Sequence, residues 1–151
     1  MQKLEIGLAL IRERGDAGSM WLTQVGRNQP MVSFISGNRL EGESFRETVA
    51  REVAWQLDLD RNREFLVANM AQIDLEFEGT VPGQDRPMRL HVAFYSVDLY
   101  RRVARNRIAN RQDLVWVPSN TLCEAERFGK WLINPFHQTL IQRSKVIESW
   151  H

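Results

Sequence analysis

The stretch Gly37-Asn38-Arg39-Leu40-Glu41-Gly42-Glu43-Ser44-Phe45-Arg46-Glu47-Thr48-Val49-Ala50-Arg51-Glu52-Val53-Ala54-Trp55-Gln56-Leu57-Asp58-Leu59 carries the strongest local signal in the chain. Ser44 followed three residues later by Glu47 is a capping box. The serine hydroxyl accepts from the Glu47 backbone N–H, and the glutamate carboxylate reaches back to the Ser44 N–H. Phe45, Val49, Val53 and Leu57 then recur every fourth residue, flanked by Ala50 and Ala54. This spacing predicts a helix with one face on a core. Asp58-Leu59-Asp60 ends it.

Outward from that helix the chain reads mainly as strands. Leu4, Ile6, Leu8 and Leu10 alternate, predicting a first strand with one apolar face. Arg14 to Ser19 reads as a turn into a second strand, Met20 to Val25, and the two strands together suggest a hairpin. Gly26 to Pro30 breaks the chain, and Met31 to Ile35 predicts a short buried strand before a loop at 36–42. Downstream, Phe65 to Glu78 reads as extended up to a turn at Gly79 to Asp85. Arg89 to Leu99 is a strand with Leu90, Val92 and Phe94 on one face and His91, Ala93, Tyr95 and Val97 on the other. Being covered on both faces, it belongs inside a layered structure. Leu114 to Pro118 predicts another strand, Trp131 to Phe136 an apolar turn, and Phe136 to Trp150 a closing helix. The expected architecture is one α/β domain over 1–151, a mixed sheet sandwiched between helices.

Composition narrows the class without choosing a function. The 151 residues are 43% hydrophobic and 26% charged, which is globular rather than disordered. A formal net charge of +1 favours no partner in bulk, so any preference must come from local clusters. The lone Cys123 excludes an intrachain disulfide and a multi-cysteine zinc site, and reads as a small, partly buried side chain. The N-terminal apolar run is broken by Glu5 and lacks a small-residue cleavage site, and no run is long enough to span a bilayer. The expectation is a soluble, cytoplasmic protein with no membrane association.

Around the capped helix the sequence resembles the Nudix box. That pattern is Gly, five residues, Glu, seven residues, Arg-Glu, an apolar residue, any residue, Glu-Glu, any residue, Gly, and an apolar residue. Gly37, Glu43, Arg51, Glu52, Val53 and Leu59 fill six of its nine fixed positions. Trp55 and Gln56 stand where the family has its glutamate pair, and Asp58 where it has glycine. Ile35-Ser36-Gly37 replaces a Pro-Gly-Gly approach. The resemblance implies a Nudix-like fold and hydrolysis of nucleoside diphosphates linked to another group. It also implies Mg²⁺ or Mn²⁺ held by several carboxylates on one helix face.

Carboxylates at i, i+3 and i+4 share a helix face. Here those positions are Glu52, Trp55 and Gln56, so only Glu52 is left as a metal ligand or catalytic group. Glu43 and Arg51 are expected to form the structural pair that fixes the loop on the helix. Substitute acids would come from Asp74, Glu76, Glu78, Asp113, Glu124 or Glu126. Trp55 has two readings. It either lines the former cleft and stacks on a base, with Gln56, Gly37 and Arg51 beside it, or packs under a loop or at a homodimer contact; packing is the preferred one. The favoured function is a nucleotide-like ligand-binding or regulatory module with a degenerate metal site. In that reading there is little or no hydrolysis and no cofactor. The alternative is a divergent Mg²⁺-dependent pyrophosphohydrolase.

Arg101, Arg102, Arg105, Arg107 and Arg111 fall within eleven residues. Such a run offers phosphates or RNA an electrostatic surface, although a solvated loop or short helix is preferred. His91, His137 and His151 have no ligand-like spacing. No nucleophile elbow, phosphate loop or dinucleotide fingerprint is present.

Overall fold

The computed structural model describes residues 2–16 and 18–148. Its strands are β1 (Lys3–Leu10), β2 (Arg12–Gly15), β3 (Gly18–Val25), β4 (Met31–Ser33), β5 (Ser36–Asn38), β6 (Phe65–Val67), β7 (Ile73–Gly79), β8 (Met88–Leu99), β9 (Leu114–Pro118), β10 (Arg127–Phe128) and β11 (Trp131–Ile133). Its helices are α1 (Phe45–Leu57), α2 (Arg102–Ala109), α3 (Ser119–Glu124) and α4 (Pro135–Ser144). One sheet runs β5-β1-β8-β6 with β7 also on β8, and the other runs β10-β11-β4-β3-β2 with β9 also on β3. Each contains one parallel pairing, β1 with β8 and β4 with β11.

The first predicted hairpin needs correction. Lys3–Leu10 pairs with β8 and β5 rather than with β3. The hairpin partner of β3 is β2, Arg12–Gly15, whose second half falls in the predicted turn. Its exposed, polar residues carry no hydrophobic alternation, so periodicity cannot reveal it. Likewise β1 is apolar on both faces. Ile6, Leu8 and Leu10 join the core beneath α4, while Ala9 and Ile11 join the core beneath α1 and α2. Gly7 is where α1 comes closest: a Cβ there would lie 3.1 Å from Val49 Cγ2 and 3.2 Å from the Phe45 carbonyl oxygen. A side chain at this position would have to push those neighbours back by a few tenths of an ångström.

Other differences are local. Ser36–Asn38, expected as loop, is strand β5. The extended segment from Phe65 divides into β6 and β7. Trp131–Ile133, expected as a turn, pairs in parallel with β4. The closing helix starts at Pro135, capped by the Asn134 side chain, and ends at Ser144 with Lys145 left-handed at φ 57. The predicted continuation through 145–147 is instead turn, beginning at the left-handed Lys145, while Trp150, like His151, Met1 and Ala17, lies outside the described residues. Among the described residues no helix is long and apolar enough to cross a membrane.

Candidate functional site

The helix signal at Ser44 is realised in full. Ser44 Oγ accepts from Glu47 N at 3.1 Å, and Glu47 Oε1 accepts from Ser44 N at 3.1 Å. Val49, Val53 and Leu57 are buried on the core face. At the other end Asp58 adopts the left-handed conformation, φ 54 and ψ 52, and its N–H donates to the Ala54 carbonyl. The left-handed turn explains why the pattern that α1 resembles has glycine at this place. Aspartate is among the few other residues that tolerate it.

Glu43 and Arg51 pair as expected. Arg51 Nε donates to Glu43 Oε2 at 2.9 Å and Nη2 to Oε1 at 3.1 Å, a two-pronged geometry. Thr48 Oγ1, at 2.7 Å, and Leu40 N, at 3.1 Å, also donate to Glu43 Oε1. The Arg51 guanidinium first, and the Thr48 and Leu40 donors after it, hold the Glu43 carboxyl down at about 2 despite partial burial. Arg51 Nη2 further donates to the Asn38 carbonyl at 3.0 Å, so the pair ties β5 and the following loop to α1.

Glu52 lies one residue on, its carboxylate across Gly37, where any added Cβ would collide with it. Its Oε1 is 3.5 Å from Arg51 Nη1. Gln56 Nε2 donates to the Ser36 carbonyl at 3.0 Å. Beneath Ser36 sits His137, buried and pushed down to about 4 by that burial. Its Nδ1 accepts from Phe34 N at 3.0 Å, which fixes the neutral tautomer with the proton on Nε2, 3.5 Å from Ser36 Oγ. Sequence spacing had given His137 no role. Its place beside Phe34 and Ser36 follows from the parallel β4–β11 pairing that leads into α4.

Trp55 is not packed under a loop: it is 81% exposed. With Glu52, Gln56 and Asp58 it lines an open cleft of about 1000 Å³, whose other walls include Arg27, Arg111, Asp113, Lys130 and Trp131. Lys130 Nζ sits 5.2 Å from the Trp131 ring centroid. Arg111 closes one side, donating to the Gln56 carbonyl at 2.8 Å and to Asp113 at 2.9 and 2.7 Å. Of the acids expected to approach Glu52, Asp113 lines its cleft, while Asp74 and Glu76 face His91 on β8 at 2.5 and 3.2 Å.

The donor set does not fit a divalent ion of the kind the resemblance implies. Mg²⁺ and Mn²⁺ prefer several carboxylate oxygens in octahedral array. The α1 face offers Glu52 alone, and Asp113 is committed to Arg111 and Gln24. Among the described residues no three His, Cys, Asp or Glu side chains are grouped to hold a metal.

The five arginines also separate. Arg107 pairs with the buried Glu64 at 3.0 Å, Arg105 donates to the Leu99 carbonyl, and Arg111 belongs to the cleft. Arg101 and Arg102 stand exposed at the start of α2.

The layered sheets, with α1 set across β1 and its start tied to β5 through Glu43 and Arg51, define the Nudix fold, and this chain has it. Ap4A hydrolase from C. elegans is 8% identical, with 99% of this chain and 96% of that one covered at a TM-score of 0.57. NrtR from Shewanella oneidensis is 16% identical at a TM-score of 0.60; 94% of this chain is covered, which spans only 62% of NrtR. The Nudix hydrolase RenU from M. smegmatis is 12% identical, with 99% and 87% covered and a TM-score of 0.58. No protein-family model matches the sequence, and no curated protein matches it.

Proposed function

We propose that the chain is a binding or regulatory module whose cleft takes a nucleotide-like small molecule with little or no hydrolysis. The observation that carries this reading is the cleft face of α1, where one carboxylate, Glu52, is followed by the 81% exposed ring of Trp55. An exposed indole is a stacking surface for a base or another flat ring, and Trp131 lines the same cleft from β11. Arg27 and Lys130 supply positive charge to a phosphate group without a metal. Gln24 and Gln56 add amide groups that orient a polar ligand.

A second reading keeps hydrolysis. Asp58 lines the same cleft as Glu52, and Asp113 would have to leave Arg111 and Gln24 to join them as a substitute ligand for Mg²⁺ or Mn²⁺.

Calorimetric titration with nucleoside mono- and diphosphates, with chelator and with Mg²⁺, separates the two. The binding reading expects metal-independent affinity, weakened about tenfold or more in Trp55→Ala, the loss of one aromatic stacking partner, and no phosphate release. Metal-dependent turnover abolished by Glu52→Gln establishes the second reading. Failure of every nucleotide to bind overturns both.

A further inference from the structure

The arginine-rich segment is not absorbed by the cleft, and the fold gives it neighbours that the sequence does not suggest. A groove of about 670 Å³ runs between β2, the end of β8 and α2. Its floor is apolar, built from Ile11, Val97, Leu99 and Ile108, and two rings, Tyr100 and Trp116, line it. Arg12 and Arg14 reach it from β2 and Arg105 from α2, with Glu13 and Asp98 as the opposing acids. Arg101 and Arg102 follow Tyr100 directly in the chain and are exposed at the start of α2. Of the five arginines between Leu99 and Gln112, Arg107 is paired with Glu64 and Arg111 with Asp113, which leaves Arg101, Arg102 and Arg105 for this side.

Two features set this groove apart from an ordinary solvated face. The bonds of Arg105 go to the Leu99 carbonyl, which fixes the side chain and leaves its charge unneutralised. The first turn of α2 has no acidic residue and no side-chain cap, yet begins at Arg101 and Arg102. Positive side chains at a helix start oppose its dipole, an arrangement that an anion relieves. Tyr100 is 49% exposed beside that turn.

We propose that this groove is a second binding site, distinct from the cleft, and that it takes single-stranded nucleic acid. Phosphates lie along Arg14, Arg101 and Arg102 and the α2 start, and a base stacks on Tyr100. Stacking on an exposed ring beside a cationic track is the general chemistry of single-strand binding. A duplex fits poorly, because α2 buries Ala104 and Ile108 against the core and offers a concavity rather than a helix free to enter a major groove.

Fluorescence anisotropy with labelled oligo(U) and oligo(dT) of about a dozen nucleotides tests this, titrated from about 50 to 200 mM salt. Binding of either strand should weaken steeply with salt. Arg101→Gln with Arg102→Gln should weaken it about tenfold and lower the salt slope by about 1.4, roughly 0.7 for each single-strand phosphate contact. Tyr100→Ala should weaken it about five- to tenfold with the slope unchanged, since stacking releases no counterions. Trp55→Ala should leave it as it was. Both arginines are exposed, so melting curves of these variants should match the parent. Equal or tighter binding of duplex or polyglutamate overturns the proposal, as does no binding, or binding indifferent to the Arg101, Arg102 and Tyr100 changes.

Discussion

The carboxylate of Glu52 occupies the space that a side chain at Gly37 would need. The first and fourth fixed positions of the box-like stretch are thus in contact across α1 and β5. Gly37→Ala should destabilise the protein by about 1–3 kcal/mol, the usual cost of overpacking. Combining it with Glu52→Ala should recover most of that loss. Denaturant titrations of the four proteins measure the coupling; simple additivity would disprove the contact.

The Glu43–Arg51 pair links loop to helix, so its loss should be felt in stability. Arg51→Ala leaves a carboxylate that is 13% exposed without its main partner, and about 1–3 kcal/mol should be lost. The Glu43 pKa is depressed from 4.5 to about 2, so this stabilisation is fully present above pH 4.5 and lost as pH falls toward about 2. Acid titration of Arg51→Ala followed by circular dichroism should show a shallower loss across that window.

His137 sets a second acid limb at higher pH. Its folded value, about 4, lies below the ordinary 6.5, so the unfolded chain takes up the proton first. Stability should fall as pH drops from 6.5 through about 4, with no contribution from this residue to pH dependence above that range. His137→Leu should remove this limb. It should also cost about 1–3 kcal/mol at neutral pH, because the Phe34 N–H loses its acceptor. A pH profile of Tm unchanged between the two proteins would contradict this assignment.

Asp58 tests the turn that ends α1. With φ at 54, Asp58→Gly should be at least as stable as the parent. Asp58→Ala should lose about 1 kcal/mol, or roughly 2–4 °C in Tm. The reverse order would argue that the aspartate side chain is held by a contact of its own.

Restoring charge to α1 offers a direct test of the metal site. Trp55→Glu with Gln56→Glu places three carboxylates at i, i+3 and i+4. The new Glu at 56 would face the Ser36 carbonyl, now 3.0 Å from Gln56 Nε2, and repel it unless a cation intervenes. The double variant should melt below the parent in chelator and regain stability with Mn²⁺, while the parent stays indifferent. An equal Mn²⁺ response in both would mean that the parent already holds the ion.

Local order was legible where short-range rules decide it. The Ser44–Glu47 box and the Val49-Val53-Leu57 part of the predicted stripe follow from residues close in sequence, with Phe45 only half-buried, while the Glu43–Arg51 pair was implied by the resemblance. The two-sided burial of Arg89 to Leu99 was also readable, because both faces carry apolar side chains. Pairing was not: nothing in Lys3 to Leu10 announces a parallel partner at Arg89 to Ser96. The strand at Trp131–Ile133 is too short for periodicity, so Lys130 and Trp131 could not be placed in the cleft beforehand. Trp55 was expected to pack under a loop or at a homodimer contact; its 81% exposure removes the first of these.

The glycine at position 7 has a mechanical consequence. With the Val49 and Thr48 side chains and the Phe45 backbone close over Gly7, little room is left for α1 to shift against that point of β1. The Trp55 wall is then the anvil of the cleft. The facing jaw carries Gly26 beside Arg27 and the left-handed Gly129 beside Lys130, the positions with the most backbone freedom.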